Sequence, residues 1–200
     1  MGALDDALHI EPRTRSDWRE WLAANHDTST GVWLVGMRRG GTGAKSAHEL
    51  DYDASVEEAL CFGWIDGQAA RFDEQRTKQY FAPRRPGSPW AATNKVRIEQ
   101  MVAAGRMTAA GLTVIERAKA DGSWAVFDSV ERLEVPDDLA AALDSRPPAR
   151  TEWDAFPPSA RKALLAWIAL AKRPDTRAQR IENTAAAAQR GERANQPPVR

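Results

Sequence analysis

The stretch from residue 53 to residue 89 constrains the fold more than any other part of the chain. A short helix pattern places Val56, Ala59 and Leu60 on one face and Glu57-Glu58 on the other, with Asp53 as its cap and Gly63 as its stop. Trp64 to Phe72 then reads as a strand, Asp73-Glu74-Gln75-Arg76 as a turn, and Thr77 to Ala82 as a returning strand. An antiparallel hairpin hung on a helix end marks an α+β domain. Pro83-Arg84-Arg85-Pro86-Gly87-Ser88-Pro89 follows as a rigid loop, in which Ser88 as N-cap and Pro89 at N1 launch a helix to about Ala104.

The flanking segments fit the same class. Ser16 caps a helix with Trp18, Trp21 and Leu22 on one stripe, and Val32 to Arg38 is a β-rich run closed by the turn Gly40-Gly41-Thr42-Gly43. Further helices are expected over Thr108 to Ala120, Pro136 to Leu143 and Pro158 to Lys172, the last ended by Pro174. Thr176-Arg177-Ala178-Gln179 has capping-box spacing and opens a final helix to about Gln189. The prolines at 147–148 and 157–158 break the chain twice. The expected architecture is therefore a small antiparallel sheet of about three strands with helices packed on it and a helical C-terminal half. Residues 1–190 are expected to form a single domain and 191–200 a disordered tail.

Composition narrows the class of protein. Apolar residues are 42% and charged residues 28%, a globular balance rather than a disordered one. Cys61 is the only cysteine, which excludes an internal disulfide and a cysteine-built zinc site; it reads as a buried, inert thiol. His9, His26 and His48 are scattered with no ligand spacing, so neither a metal nor a cofactor is expected. The acidic start lacks a secretory pattern and the longest apolar stretch, Ala163 to Ala171, is too short to cross a bilayer, so a cytoplasmic protein is expected.

Net charge is zero but unevenly spread. Residues 1–70 carry 12 acids against 6 bases, and 71–120 reverse this with 10 bases against 4 acids. Residues 121–156 are acidic again (9 against 3), and 157–200 are basic (9 against 3). Either these blocks neutralise one another across packed elements, or the two basic blocks gather an anion. Overall neutrality disfavours a nucleic-acid partner and leaves a small anionic ligand or a protein partner open.

The densest group of chemistry-bearing residues is Trp64, Asp66, Arg84, Arg85, Ser88, Trp90 and Asn94, with Arg177 and Arg180 at the last helix start. Guanidinium forks and helix starts suit phosphate or carboxylate, and Trp64 and Trp90 could offer a flat wall. The competing reading has the arginines paired with acids of 121–156 and the tryptophans in the core. Asp66, between Ile65 and Gly67, is either a loop anchor or an acid/base group.

The run Ala59-Leu60-Cys61-Phe62-Gly63-Trp64-Ile65-Asp66-Gly67 resembles the YdeI/OmpD-associated, or bacteriocin-protection, family. The likeness continues through Pro83-Arg84-Arg85, Asn94-Lys95, Asp121-Gly122-x-Trp124 and Ala171-Lys172-Arg173-Pro174-x-Thr176-Arg177, spanning about Trp18 to Arg190. It implies a stress-response role in surviving bacteriocins or cationic antimicrobial peptides, and it carries over no catalytic residues. The expectation is a non-enzymatic protection protein that binds a small anionic or phosphorylated ligand. Two alternatives stand beside it: an enzyme using Asp66 with the arginines holding substrate, and a weak single-stranded nucleic-acid binder.

Overall fold

The computed structural model describes residues 7–37 and 50–194. The Gly40–Gly43 turn, His48 and residues 195–200 of the expected tail lie outside them. The chain divides into two compact units, Met1–Ser123 and Trp124–Arg200.

The first unit is α+β, as the hairpin signal requires. Strands β1 (His9–Ile10), β2 (Val32–Met37), β3 (Trp64–Arg71) and β4 (Arg76–Pro83) form one sheet in the order β1-β2-β4-β3. The three long strands are antiparallel, Val32 opposite Phe81 and Trp64 opposite Pro83, with an irregularity between Asp66 and Ala69. The two-residue β1 adds a parallel edge beside β2, which makes the sheet mixed.

Helices α1 (Arg15–Asn25) and α2 (Tyr52–Cys61) supply the apolar stripes that cover the sheet. Trp18, Leu22, Val56, Ala59 and Phe81 are fully buried. The tryptophans also satisfy their polar ends: Trp18 Nε1 donates to the Ser55 carbonyl at 3.0 Å, as buried indole N–H groups generally require. Helices α3 (Ala92–Ala103) and α4 (Ala109–Ala120) complete the unit.

Three expected helix starts in the first unit move. Thr14, not Ser16, caps α1: its hydroxyl accepts from the Asp17 amide at 3.1 Å while Asp17 accepts from the Thr14 amide at 3.0 Å. That reciprocal box satisfies two orphan amides, whereas Ser16 lies inside the helix and bonds Glu20. Asp51, not Asp53, caps α2, accepting from the Ala54 amide at 2.8 Å. Ser88 does not cap α3, which begins four residues later.

The second unit is helical: α5 (Asp128–Glu131), α6 (Asp137–Asp144), α7 (Ala149–Ala155), α8 (Pro158–Ala169) and α9 (Pro174–Ala188). Its core contains Leu139, Leu143, Trp153, Leu164, Ala185 and Ala188, all fully buried. Helix α7 fits between the two proline pairs, where the sequence suggested only breaks. Pro174 both ends the α8 connection and opens α9, so Thr176 falls within the first turn rather than capping it. Among the described residues no helix is long and apolar enough to cross a membrane.

Candidate functional site

The loop that leaves β4 is organised by one arginine. The Arg84 amide donates to the Gly63 carbonyl at 3.0 Å, which ties the loop to the end of α2. Its guanidinium lies 3.7 Å from the Trp90 ring centroid, and Nη2 donates to the carbonyls of Ser88 (3.3 Å) and Pro89. Those bonds fix Ser88 and Pro89 in the loop ahead of the buried Trp90, and α3 begins only at Ala92. Arg84 is only 7% exposed, yet among the described residues no carboxylate pairs with it, Nη1 has no acceptor, and Nε is buried without a partner. Burial pushes Arg84 down to about 10, with the more distant Asp66 carboxylate pulling the other way.

Arg84, Arg85, Ser88 and Trp90 line a small, partly open cleft with room inside for about one water-sized group, bounded on its other side by Arg117 and Asp121 from the end of α4. The guanidiniums of Arg85 and Arg117 and the Ser88 hydroxyl make no bond to any described residue. Asp121 is engaged: Oδ1 accepts from the Ser123 amide at 2.9 Å and Oδ2 from the Gly87 amide at 3.2 Å. Hydrogen bonds from Ser123, then from Gly87, hold its carboxyl below the usual range, with Arg117 adding to the effect. Three arginines and one carboxylate therefore line the same cleft, with Arg117 the arginine that acts on Asp121. Guanidinium donors of this kind suit an oxyanion chemically, through charge-assisted hydrogen bonds.

The remaining candidates have other occupations. Trp64 is 1% exposed, meets Trp21 edge-on and donates to the His26 carbonyl at 3.0 Å, so it belongs to the core and is no wall for a ligand. Asp66 accepts from the Tyr52 hydroxyl at 2.7 Å, tying β3 to the start of α2. Asn94 accepts from Arg97, which also pairs with Asp53 at 2.7 Å. In the second unit Arg177 grips Asp138 with two bonds, Nε to Oδ2 at 2.8 Å and Nη2 to Oδ1 at 2.9 Å. Arg180 lies over the Trp167 ring and donates to the Trp167 carbonyl. Of the nine candidates, four meet in one cleft; Arg117 and Asp121 join them unforeseen.

A second unforeseen group surrounds Glu58. This carboxylate has no solvent exposure and accepts from Arg15, Arg19 and Arg106, while Arg15 also pairs with Glu57 at 2.8 Å. Burial pushes the Glu58 carboxyl up, but the three guanidiniums outweigh it and the balance lies below the ordinary value. All three guanidiniums bond to Glu58, and Arg15 and Arg19 take further protein acceptors, which makes the group a lock between helices. Cys61, one turn on, is fully buried, and that burial pushes its thiol up, consistent with the inert reading.

Residues 10–114, more than half of the chain, match the family model "Domain of unknown function (DUF8412)", and the chain belongs to that family. Residues 132–191 match the model "Bacteriocin-protection, YdeI or OmpD-Associated". The resemblance read from the sequence is thus found in the second unit, where Ala171 to Ile181 lie, and the Ala59–Gly67 run falls within the other family's span. No curated protein and no solved structure matches the chain.

Proposed function

We propose that this chain is a non-enzymatic protection protein, acting in survival of bacteriocins or cationic antimicrobial peptides, whose first unit binds a small anionic ligand in the Arg84 cleft. The family match over residues 132–191 supports the protective role. The observation that carries the ligand is Arg84, a buried cation with no carboxylate partner among the described residues, beside Arg85, Arg117 and Ser88 whose polar ends bond to none of those residues. Burying a charge without a counter-charge is costly, and an incoming oxyanion removes that cost. Trp90 supports a small ligand: buried under the Arg84 guanidinium, it offers no face on which a base could stack.

The test is calorimetric titration of the protein with inorganic phosphate, repeated on Arg85→Ala and Arg117→Ala. Each variant loses a charge-assisted contact worth roughly 1.5–3 kcal/mol while keeping a native circular dichroism spectrum. The same variants, expressed in a bacteriocin-sensitive strain, protect less than the parent chain. Phosphate affinity equal in all three proteins would remove the cleft from the proposal.

A further inference from the structure

Three arginines alone would take any small oxyanion, but the cleft also contains Asp121. It stands at the C-terminal cap of α4, where the last carbonyls give the helix end a partial negative charge. Its oxygens accept the amides of Ser123 and Gly87 and the Ser123 hydroxyl also engages it, so of a carboxylate's roughly four acceptor sites one remains. An anion held by Arg84, Arg85 and Arg117 therefore meets an acceptor on one side.

We propose that Asp121 is a specificity residue that makes the cleft select an oxyanion bearing a proton, with inorganic hydrogen phosphate as the ligand. This rests on the anion-binding reading of the cleft. Hydrogen phosphate and sulfate at neutral pH have the same charge and nearly the same size. Hydrogen phosphate donates its P–O–H to Asp121 and accepts from the arginines through its other oxygens. Sulfate has acceptors only, and its fourth oxygen faces the carboxylate with no hydrogen between them, a repulsive pairing that costs affinity. The Ser123 side chain and amide, the Gly87 amide and the nearby Arg117 keep Asp121 ionised and fixed in place.

The experiment compares phosphate and sulfate titrations at pH 7.5 on the parent chain and on Asp121→Asn. The parent binds phosphate about tenfold or more tighter than sulfate, the size of one charge-assisted hydrogen bond. Asp121→Asn keeps an acceptor for one amide and presents an N–H₂ donor, so sulfate gains and the two affinities come within about twofold. Equal affinities in the parent chain overturn the proton-selection proposal and leave the anion cleft standing. Binding of neither anion overturns the cleft reading and this one with it. If Asp121→Asn loses the native circular dichroism spectrum, the ratio in the parent chain decides alone.

Discussion

Arg19 Nη1 lies 2.7 Å from Oε2 of Glu58, the one acid among the described residues that is wholly removed from water. Arg15 and Arg106 share the other oxygen, so a single carboxylate joins α1, α2 and the segment between α3 and α4. Each arginine keeps about a third of its side chain in solvent, which lowers the desolvation cost of assembling three cations around one anion. Arg106 also gives its carbonyl to Arg19, which closes the group on itself.

Replacing Glu58 by glutamine leaves three guanidiniums facing a neutral amide. We expect a loss at the lower end of the roughly 3–5 kcal/mol seen when one partner of a buried pair is removed, since the arginines still reach water. The pH dependence has a definite sign. Because the folded carboxyl is held below its unfolded value of 4.5, the contribution is fully present above that value and is lost as pH falls through the folded one. Urea unfolding between pH 7 and pH 3 should show a steep acid limb in the parent and a shallower one in Glu58→Gln. A parallel shift of both curves would contradict the assignment.

This group shows why part of the molecule could not be read ahead of its coordinates. The amphipathic pattern of α2 assigns Glu58 to the solvent face, and within ten residues nothing argues otherwise. Its partners arrive from 43, 39 and 48 positions away. The β3–β4 hairpin, β2, and α4 behind its Thr108 cap were legible because alternation, turn residues and a local cap suffice to specify them. Helix starts were less so, because Thr14 and Ser16, or Asp51 and Asp53, compete within one turn and only geometry chooses. In the cleft, the Arg84 loop announced itself through its prolines. Arg117 and Asp121 look like ordinary solvent-facing residues at a helix end, and only tertiary packing turns them toward that loop.

Gly111 allows α4 to approach the end of α2. A Cβ there would lie 2.3 Å from the Cys61 carbonyl oxygen and 2.9 Å from that of Leu60, both backbone atoms that cannot swing aside. The approach matters because Thr108 uses it: its hydroxyl donates to the Cys61 carbonyl at 2.6 Å while also accepting the Gly111 amide. Gly111→Ala should therefore cost at least the roughly 1–3 kcal/mol of overpacking, despite alanine's better helix propensity. Gly36→Ala is the control, since no described residue lies within 4 Å of its added methyl. Denaturant midpoints that fall equally for both would refute the close-approach argument.

The Tyr52–Asp66 bond offers a reading of β3 from outside the cleft. Partial burial, and then the Asp66 carboxylate 2.7 Å from the hydroxyl, push Tyr52 up to about 12. Ionising the phenol would place two negative charges on adjacent oxygens and destroy the only donor in the bond. The folded value lies above the ordinary 10.0, so the stability this pair contributes is fully present below pH 10 and is lost as pH rises through the folded value. The chain has only two tyrosines, which makes absorbance at the tyrosinate band informative. We expect one tyrosine to titrate late in the parent chain and to move back toward the ordinary range in Asp66→Asn. Tyr52→Phe should remove that late step and cost about 0.5–1.5 kcal/mol, the worth of one hydrogen bond. If Asp66 anchors the start of α2 to β3 in this way, Asp66→Asn and Tyr52→Phe are equivalent in stability and the double variant is no worse than either. Additive losses would mean that Asp66 acts through something other than Tyr52, and would reopen its role as an acid/base group.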